Sequence, residues 1–268
     1  MRFVALDALD WPAFEPGSVW LVGAGPGAPG LLSLLGYHAL QHADVVVYDA
    51  LVSDRLLDLA NPAAERLYAG KRGGKPSPKQ ADITLKLTEL AGQGKRVLRL
   101  KGGDPFMFGR GAEEAMALAA HGIPFRIVPG ISAGLGGLAY AGIPVTHRDT
   151  NHAVVFLTGH DETGGVPAAV DWAAIANAAP VIVMYMAVKH LDSIAQKLIA
   201  AGRSPDDAVA VVCNAALPTQ MVVEGRLGAV LELEPYIAPP AIVVVGAASA
   251  LRGTLDWYVG ALRENALG

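Results

Sequence analysis

The first half of the chain alternates short apolar runs with stretches of helical character, and this alternation constrains the fold more than any other feature. The runs "VWLVG" (19–23), "VVVYD" (45–49), "RVLRL" (96–100) and "FRIV" (125–128) have the length and composition of strands buried on both faces. A further strand is read at 66–69. Helical patterns lie between them, from about 31 to 42 and from 79 to 93. The second has clear ends: Ser77 as N-cap, Pro78 in the first turn, Gln80 completing a capping box, and Gly92 and Gly94 as stops. Strand, helix, strand in succession predicts a mainly parallel sheet.

The second half changes texture. Strands are expected at "AVVFLTG" (153–159), "VIVMYM" (181–186), "AVAVVC" (208–213), "TQMVVEG" (219–225) and "AIVVVG" (241–246). The two that flank Leu217-Pro218 are too close for a crossover helix, so they must be antiparallel neighbours in a mixed sheet. The expectation is two α/β domains, 1–130 and 131–268, divided near Pro129-Gly130. A chain of 268 residues can bury both cores, and its 52% hydrophobic content suits strands covered by helices. The net charge of −4 provides no basic field for nucleic acid. Cys213 is the sole cysteine, which excludes an internal disulfide and a cysteine-only metal site; within "VAVVCNAA" it reads as a small buried hydrophobe. "MRFVALDALDWP" is too polar for a signal peptide, and the longest uncharged stretch is broken by Pro129, Pro144 and five glycines, a poor membrane span. A cytoplasmic protein is expected.

Two glycine-rich loops follow strands. "GAGPGAPG" (23–30) matches the dinucleotide pattern G-x-G-x-x-A, and Asp49 ends the next strand where a ribose-binding acid would stand. A nicotinamide oxidoreductase is therefore one reading, and a plain tight turn is another. Pro26 and Pro29 remove two N–H donors, which favours a neutral ligand over two phosphates. "LKGGDPFMFGRGAEEA" (100–115) follows a strand at the same carboxyl edge, where ligands of open α/β sheets bind. Gly102 and Gly103 admit a ligand to the main chain, Asp104 accepts hydrogen bonds, and Phe106, Met107 and Phe108 form an apolar wall. Arg110 and Glu113 stand one helical turn apart; a structured loop opening a helix through that ion pair is the plainer alternative.

With these loops, the stretches "VGAGPGAPGLLSL", "ADVVVYDALVS", "GKRGGKPSPKQ", "RLKGGDPFMFGRGAEE", "VPGISAGLGGLAYAGIPVTHR", "VIVMYM" and "PPAIVVVG" stand in family order. The chain resembles the uroporphyrinogen-III C-methyltransferases, a branch of the tetrapyrrole (class III) S-adenosylmethionine-dependent methyltransferases, from about Gly17 to the C-terminal region. The resemblance implies two α/β domains with the active site in the cleft between them, a homodimer, and methylation of uroporphyrinogen III at C2 and C7 to give precorrin-2. It implies cofactor contacts at Pro26, Gly102, Gly103, Asp104, Met107, Ser132, Ala133, Met186, Ala215 and Ala241. Such chemistry needs no protein nucleophile; it needs two partners positioned in a dry site.

The implied substrate is an octacarboxylate and calls for cations. Lys71, Arg72 and Lys75 stand on the loop after 66–69, where a solvated charge run is the plainer reading. Arg148 in "PVTHRD" and His160 in "LTGHDE" match family positions that face the tetrapyrrole. His160 with Asp161 and Glu162 imitates a metal site, but three adjacent residues on one strand end cannot converge on an ion. Relatives often carry Asp after "GPG" as a candidate base; this chain has Ala28. Arg110 is then expected to orient a propionate or stabilise charge, with Glu113 or water removing the proton. Ala28 also admits a non-catalytic cofactor-binding relative. A ribosomal-RNA methylase is disfavoured by the acidic charge and the "GKRGGKPSPKQ" loop. The length leaves no room for the dehydrogenase–ferrochelatase module fused to some relatives.

Overall fold

The computed structural model describes residues 6–70, 80–161, 163–265 and 267. Lys71, Arg72 and Lys75, with the helix signals Ser77 and Pro78, lie outside the described residues, as does Glu162. The chain divides into two compact units. One contains residues up to Ala24 and Leu31–Gly130; the other contains Gly25–Gly30 and everything from Ile131 onward.

The first unit holds β1 (Val19–Gly23), β2 (Val45–Tyr48), β3 (Glu65–Tyr68), β4 (Val97–Lys101) and β5 (Phe125–Val128). They form one sheet in the order β3-β2-β4-β1-β5, and every pairing is parallel. The period of two explains the apolar runs. Val19, Leu21, Val45, Val47 and Val97 face one layer with Leu87, Leu90 and Leu118. Trp20, Val22, Val46, Leu98 and Leu100 face the other with Leu40, Leu56 and Leu57. Both faces of the central strands are covered, so β1 and β2 carry no polar alternation to mark them as one-sided, and in β4 only Arg99 and Lys101 interrupt the apolar run.

The helix expected from 31 begins at Leu34, after a short 3-10 turn at Pro29–Leu31. Ser33 sets the start, because its Oγ accepts a hydrogen bond from Gly36 N at 3.1 Å. The second helix runs Gln80–Gly92, and a third, Gly111–Ala120, follows the second glycine-rich loop.

The second unit holds β6 (Val154–Thr158), β7 (Val181–Tyr185), β8 (Ala208–Cys213), β9 (Met221–Arg226) and β10 (Ala241–Val245), in the order β6-β7-β10-β8-β9. β6 and β7 are parallel, whereas β10 runs antiparallel to both β7 and β8. β8 and β9 are antiparallel, with Cys213 opposite Met221, as the short link around Leu217-Pro218 requires. Ile182, Met184, Ile194, Leu198, Val211 and Val243 form the core, and Cys213 is buried among them. Burial pushes the Cys213 thiol above its ordinary pKa, consistent with an inert packing role.

Candidate functional site

In the first unit β1 and β4 lie side by side, and Gly23 is level with Lys101. The chain leaving β1 goes on to β2 on one side, and the chain leaving β4 goes on to β5 on the other. That reversal opens a crevice at the carboxyl ends of these two strands, the position where open α/β sheets bind ligands. Three glycines meet there backbone to backbone. A Cβ on Gly23 would lie 2.5 Å from Gly130 Cα and 2.6 Å from Gly103 O, and a Cβ on Gly130 would collide with Gly103 O.

The loop 102–110 is braced at several points. Asp104 accepts from Phe106 N at 2.8 Å through one oxygen and from Gly130 N at 2.9 Å through the other. Gly111 N donates to Pro105 O at 2.9 Å. Phe108 and Arg110 are held at φ 53° and 58°, a left-handed conformation that side chains adopt only under constraint. Arg110 Nε donates to Glu113 Oε2 at 2.5 Å, so the expected pair forms, and it stands exposed on the first turn of the helix. Such a pair contributes only about 0–1 kcal/mol to stability. Phe106 and Phe108 are likewise exposed.

The same geometry argues against a dinucleotide. Ala24 N already donates to Lys101 O at 2.8 Å and Gly30 N to Leu267 O at 2.7 Å, while Pro26 and Pro29 have no N–H to offer. The following helix starts only at Leu34, with its first turn capped by Ser33. Asp49, the would-be ribose ligand, accepts from Leu51 N at 3.0 Å and from Gly102 N at 3.3 Å. Two of the loop's amides are thus already used, two positions have none, and no α-helix N-terminus adjoins the loop, so little of the cradle that a pyrophosphate requires is present.

Beneath the loop lies a cluster that sequence reading missed. Arg99 Nε and Lys101 Nζ each lie 3.2 Å from Glu114 Oε1, and all three side chains are buried. Arg99 also donates to Val47 O and Leu100 O, both at 3.3 Å. Burial, then the neighbouring Arg99, lowers the Lys101 pKa, although Glu114 opposes the shift. The only sequence signal was the pair of basic residues two apart inside an otherwise apolar strand.

In the second unit the candidate cofactor residues gather at one sheet edge. Ser132 precedes a π-helical turn, Ala133–Gly137, a geometry often found at functional sites. Ser132 Oγ lies 2.6 Å from Tyr185 Oη, which also accepts from Gly134 N at 2.8 Å. A Cβ at Gly134 would strike that hydroxyl, and one at Gly137 would lie 2.6 Å from Ala215 Cβ. A Cβ at Gly136 would touch Pro26 Cγ at 3.5 Å, and Gly27 packs closely on Leu217 and Ala215 O. Pro26, Ser132, Ala133 and Ala215 are thus brought together. Met186 follows Tyr185 at φ 54°, and Asn214 and Ala216 flank Ala215 at φ 49° and 60°. Ala241 is level with Cys213, and the next residue, Ile242, is level with Tyr185, which places Ala241 at the same edge.

His160 follows β6 at that edge and its Nδ1–H donates to Met186 O at 3.3 Å. Asp161 is used locally, accepting from Thr163 Oγ1 at 2.6 Å and Thr163 N at 2.9 Å; these bonds, the hydroxyl first, lower its pKa. Arg148 stands exposed on the turn that leads into β6, and no hydrogen bond or ion pair among the described residues joins it to the cluster. Buried Asn151 organises that turn, accepting from His147 N at 3.0 Å and donating to Val145 O at 2.9 Å. Lys71 and Arg72 remain outside the described residues.

Tyr185 is the residue at this edge that sequence reading passed over. Tyr185→Phe is expected to cost about 1–3 kcal/mol, because it leaves the buried Gly134 N–H without its acceptor. Urea denaturation checks this; an unchanged midpoint would make the hydroxyl dispensable.

Residues 18–231 match the family described as Tetrapyrrole (Corrin/Porphyrin) Methylases. A uroporphyrinogen-III C-methyltransferase from Sinorhizobium sp. is 64% identical over 254 residues, which cover 94% of this chain and 90% of that protein. A siroheme synthase from Zymomonas mobilis is 46% identical over 244 residues, 91% of this chain. The chain spans only 51% of that longer protein. Among solved structures, uroporphyrin-III C-methyltransferase from Thermus thermophilus in complex with S-adenosylhomocysteine superposes with a TM-score of 0.76 at 39% identity. The match covers 87% of this chain and 99% of that one.

Proposed function

The chain belongs to the tetrapyrrole (corrin/porphyrin) methylases, and on that premise we propose that it is an S-adenosylmethionine-dependent C-methyltransferase that methylates uroporphyrinogen III twice, at C2 and C7, to give precorrin-2. The observation that carries the reading is the character of the two sheet edges. They offer small residues, main chain and thioethers, while the opening loop has two prolines without an N–H and two amides, those of Ala24 and Gly30, already engaged. That suits a nucleoside without phosphates. The residues that hold it are Pro26, Gly102, Gly103, Asp104, Met107, Ser132, Ala133, Met186, Ala215 and Ala241.

When bound, the cofactor supplies an electrophilic methyl group on a sulfonium centre. The chain's own task is to exclude water, hold the macrocycle against that group and accept a proton. Arg110 orients a substrate propionate with the N–H groups of its planar fork, while Glu113 holds its Nε. Ala28 is buried and brings no carboxylate, so the macrocycle proton goes to Glu113 or to water. Arg148, His160, Lys71 and Arg72 engage the remaining carboxylates. The working form is a homodimer in the cytoplasm. Among the described residues no helix is long and apolar enough to cross a membrane.

Calorimetric titration with S-adenosylhomocysteine tests the reading. One molecule should bind per chain, and NADH should give no heat; the reverse result would restore the dinucleotide alternative. Arg148→Ala should weaken tetrapyrrole binding by about 1.5–3 kcal/mol, the worth of one charge-assisted hydrogen bond, and leave S-adenosylhomocysteine affinity unchanged. Equal losses for both ligands would make Arg148 a structural residue.

A further inference from the structure

We infer that Arg99, Lys101 and Glu114 form a positioning cluster that fixes the loop 102–110 in its ligand-binding conformation, with Glu114 as its pivot. The inference rests on the reading that this loop holds the cofactor. Among the described residues these three are the only charged side chains that are buried. Two cations share one carboxylate oxygen, and burial lowers the Lys101 pKa. Interiors built for stability alone do as well or better with apolar residues of similar volume in such places.

The placement of the three supplies a role. Arg99 and Lys101 are alternate residues of β4 and point to the same face, and Lys101 is the last residue before the loop. Glu114 lies in the first turn of the helix that begins as the loop ends. Its Oε1 takes contacts from both cations, so one atom ties the two ends of the loop together. Arg99 extends the tie to β2 through Val47 O. Between those ends the chain holds Gly103 at φ 67° and the non-glycine residues Phe108 and Arg110 in the left-handed region. Such conformations persist only where the surroundings over-determine them. Glu113 is the next residue along the helix from Glu114, and Arg110 lies one turn before it. Fixing the rotation of that turn therefore fixes where the exposed Arg110–Glu113 pair is presented.

The test replaces the cluster with apolar residues of similar size: Arg99→Met, Lys101→Met and Glu114→Leu together. The melting temperature should equal or exceed that of the parent. Even so, the dissociation constant for S-adenosylhomocysteine should rise at least about tenfold, and amide hydrogen exchange should quicken across 102–110 but not across 112–120. A residue set with a purely structural role would not separate stability from affinity in this way. Parent-like affinity and loop exchange would overturn the inference. Should the triple variant not fold, Glu114→Gln, which keeps the shape and removes the charge, is expected to show the same loss of affinity and faster loop exchange. Parent-like values there overturn the inference, and so does loss of fold in both variants, which would make the cluster a stabilising core. If the parent itself fails to bind S-adenosylhomocysteine, the cofactor reading falls, and loop exchange in the variants still decides the role of the cluster.

Discussion

Gly130→Ala is expected to destabilise the first unit by at least about 3 kcal/mol and to abolish cofactor binding. The added methyl would meet Gly103 O and lie 2.6 Å from Gly23 Cα. Both neighbours are backbone, held in register by the parallel pairing of β1 with β4 and β5. Overpacking in cores usually costs about 1–3 kcal/mol because side chains can shift; here none is available to move. The substitution also displaces Gly130 N from Asp104, which it bonds at 2.9 Å, and so loosens the loop 102–110. Gly92→Ala is the control, since a Cβ there meets nothing within 4 Å at the end of a helix. It should be neutral or stabilising by up to about 1 kcal/mol. Urea unfolding of both variants with a parallel calorimetric titration reads the outcome. A Gly130→Ala protein as stable as the parent would mean that the crevice is looser than its glycines imply.

The second large effect separates function from stability. Arg110→Lys should lower turnover by roughly tenfold to a hundredfold, equivalent to about 1.4–2.7 kcal/mol, and leave the unfolding midpoint and S-adenosylhomocysteine affinity nearly unchanged. The pair with Glu113 is exposed, so little stability is at stake. What is lost is the planar fork that can grip a carboxylate through two bonds while Glu113 holds Nε. Steady-state kinetics should place the loss with the tetrapyrrole and not with the cofactor. Unimpaired turnover would remove Arg110 from the mechanism.

Much of this architecture is legible in the sequence because its physical causes are local. Short, largely apolar runs mark the strands, and β1, β2, β4 and β5 fall within a residue or so of where "VWLVG", "VVVYD", "RVLRL" and "FRIV" place them. The short link at Leu217-Pro218 forces β8 and β9 to be antiparallel. The ion pair at Arg110 and Glu113 follows from helical spacing. Three features were hidden because their causes are long-range. Arg99 and Lys101 could be reconciled with a buried strand only through Glu114, which lies thirteen to fifteen residues on. Tyr185 looked like the end of an apolar run, yet it is the hydroxyl that meets Gly134 across 51 residues. The segment Gly25–Gly30 follows β1 directly but belongs to the second unit, through contacts with Ala215, Leu217 and Leu267 that no local pattern announces. The helix start at Leu34 is a smaller miss, explained by a serine cap in a stretch read for its apolar residues alone.

On the proposed function, the two sheet edges serve methyl transfer to a tetrapyrrole carbon. The most direct measurement is incubation of the purified protein with uroporphyrinogen III and excess S-adenosylmethionine under reducing conditions, followed by mass analysis of the tetrapyrrole. The expected product carries two added methyl groups, with two molecules of S-adenosylhomocysteine released for each macrocycle. A tetrapyrrole recovered without added methyl groups, from a protein that still binds S-adenosylhomocysteine, would contradict it and leave a cofactor-binding protein without this activity.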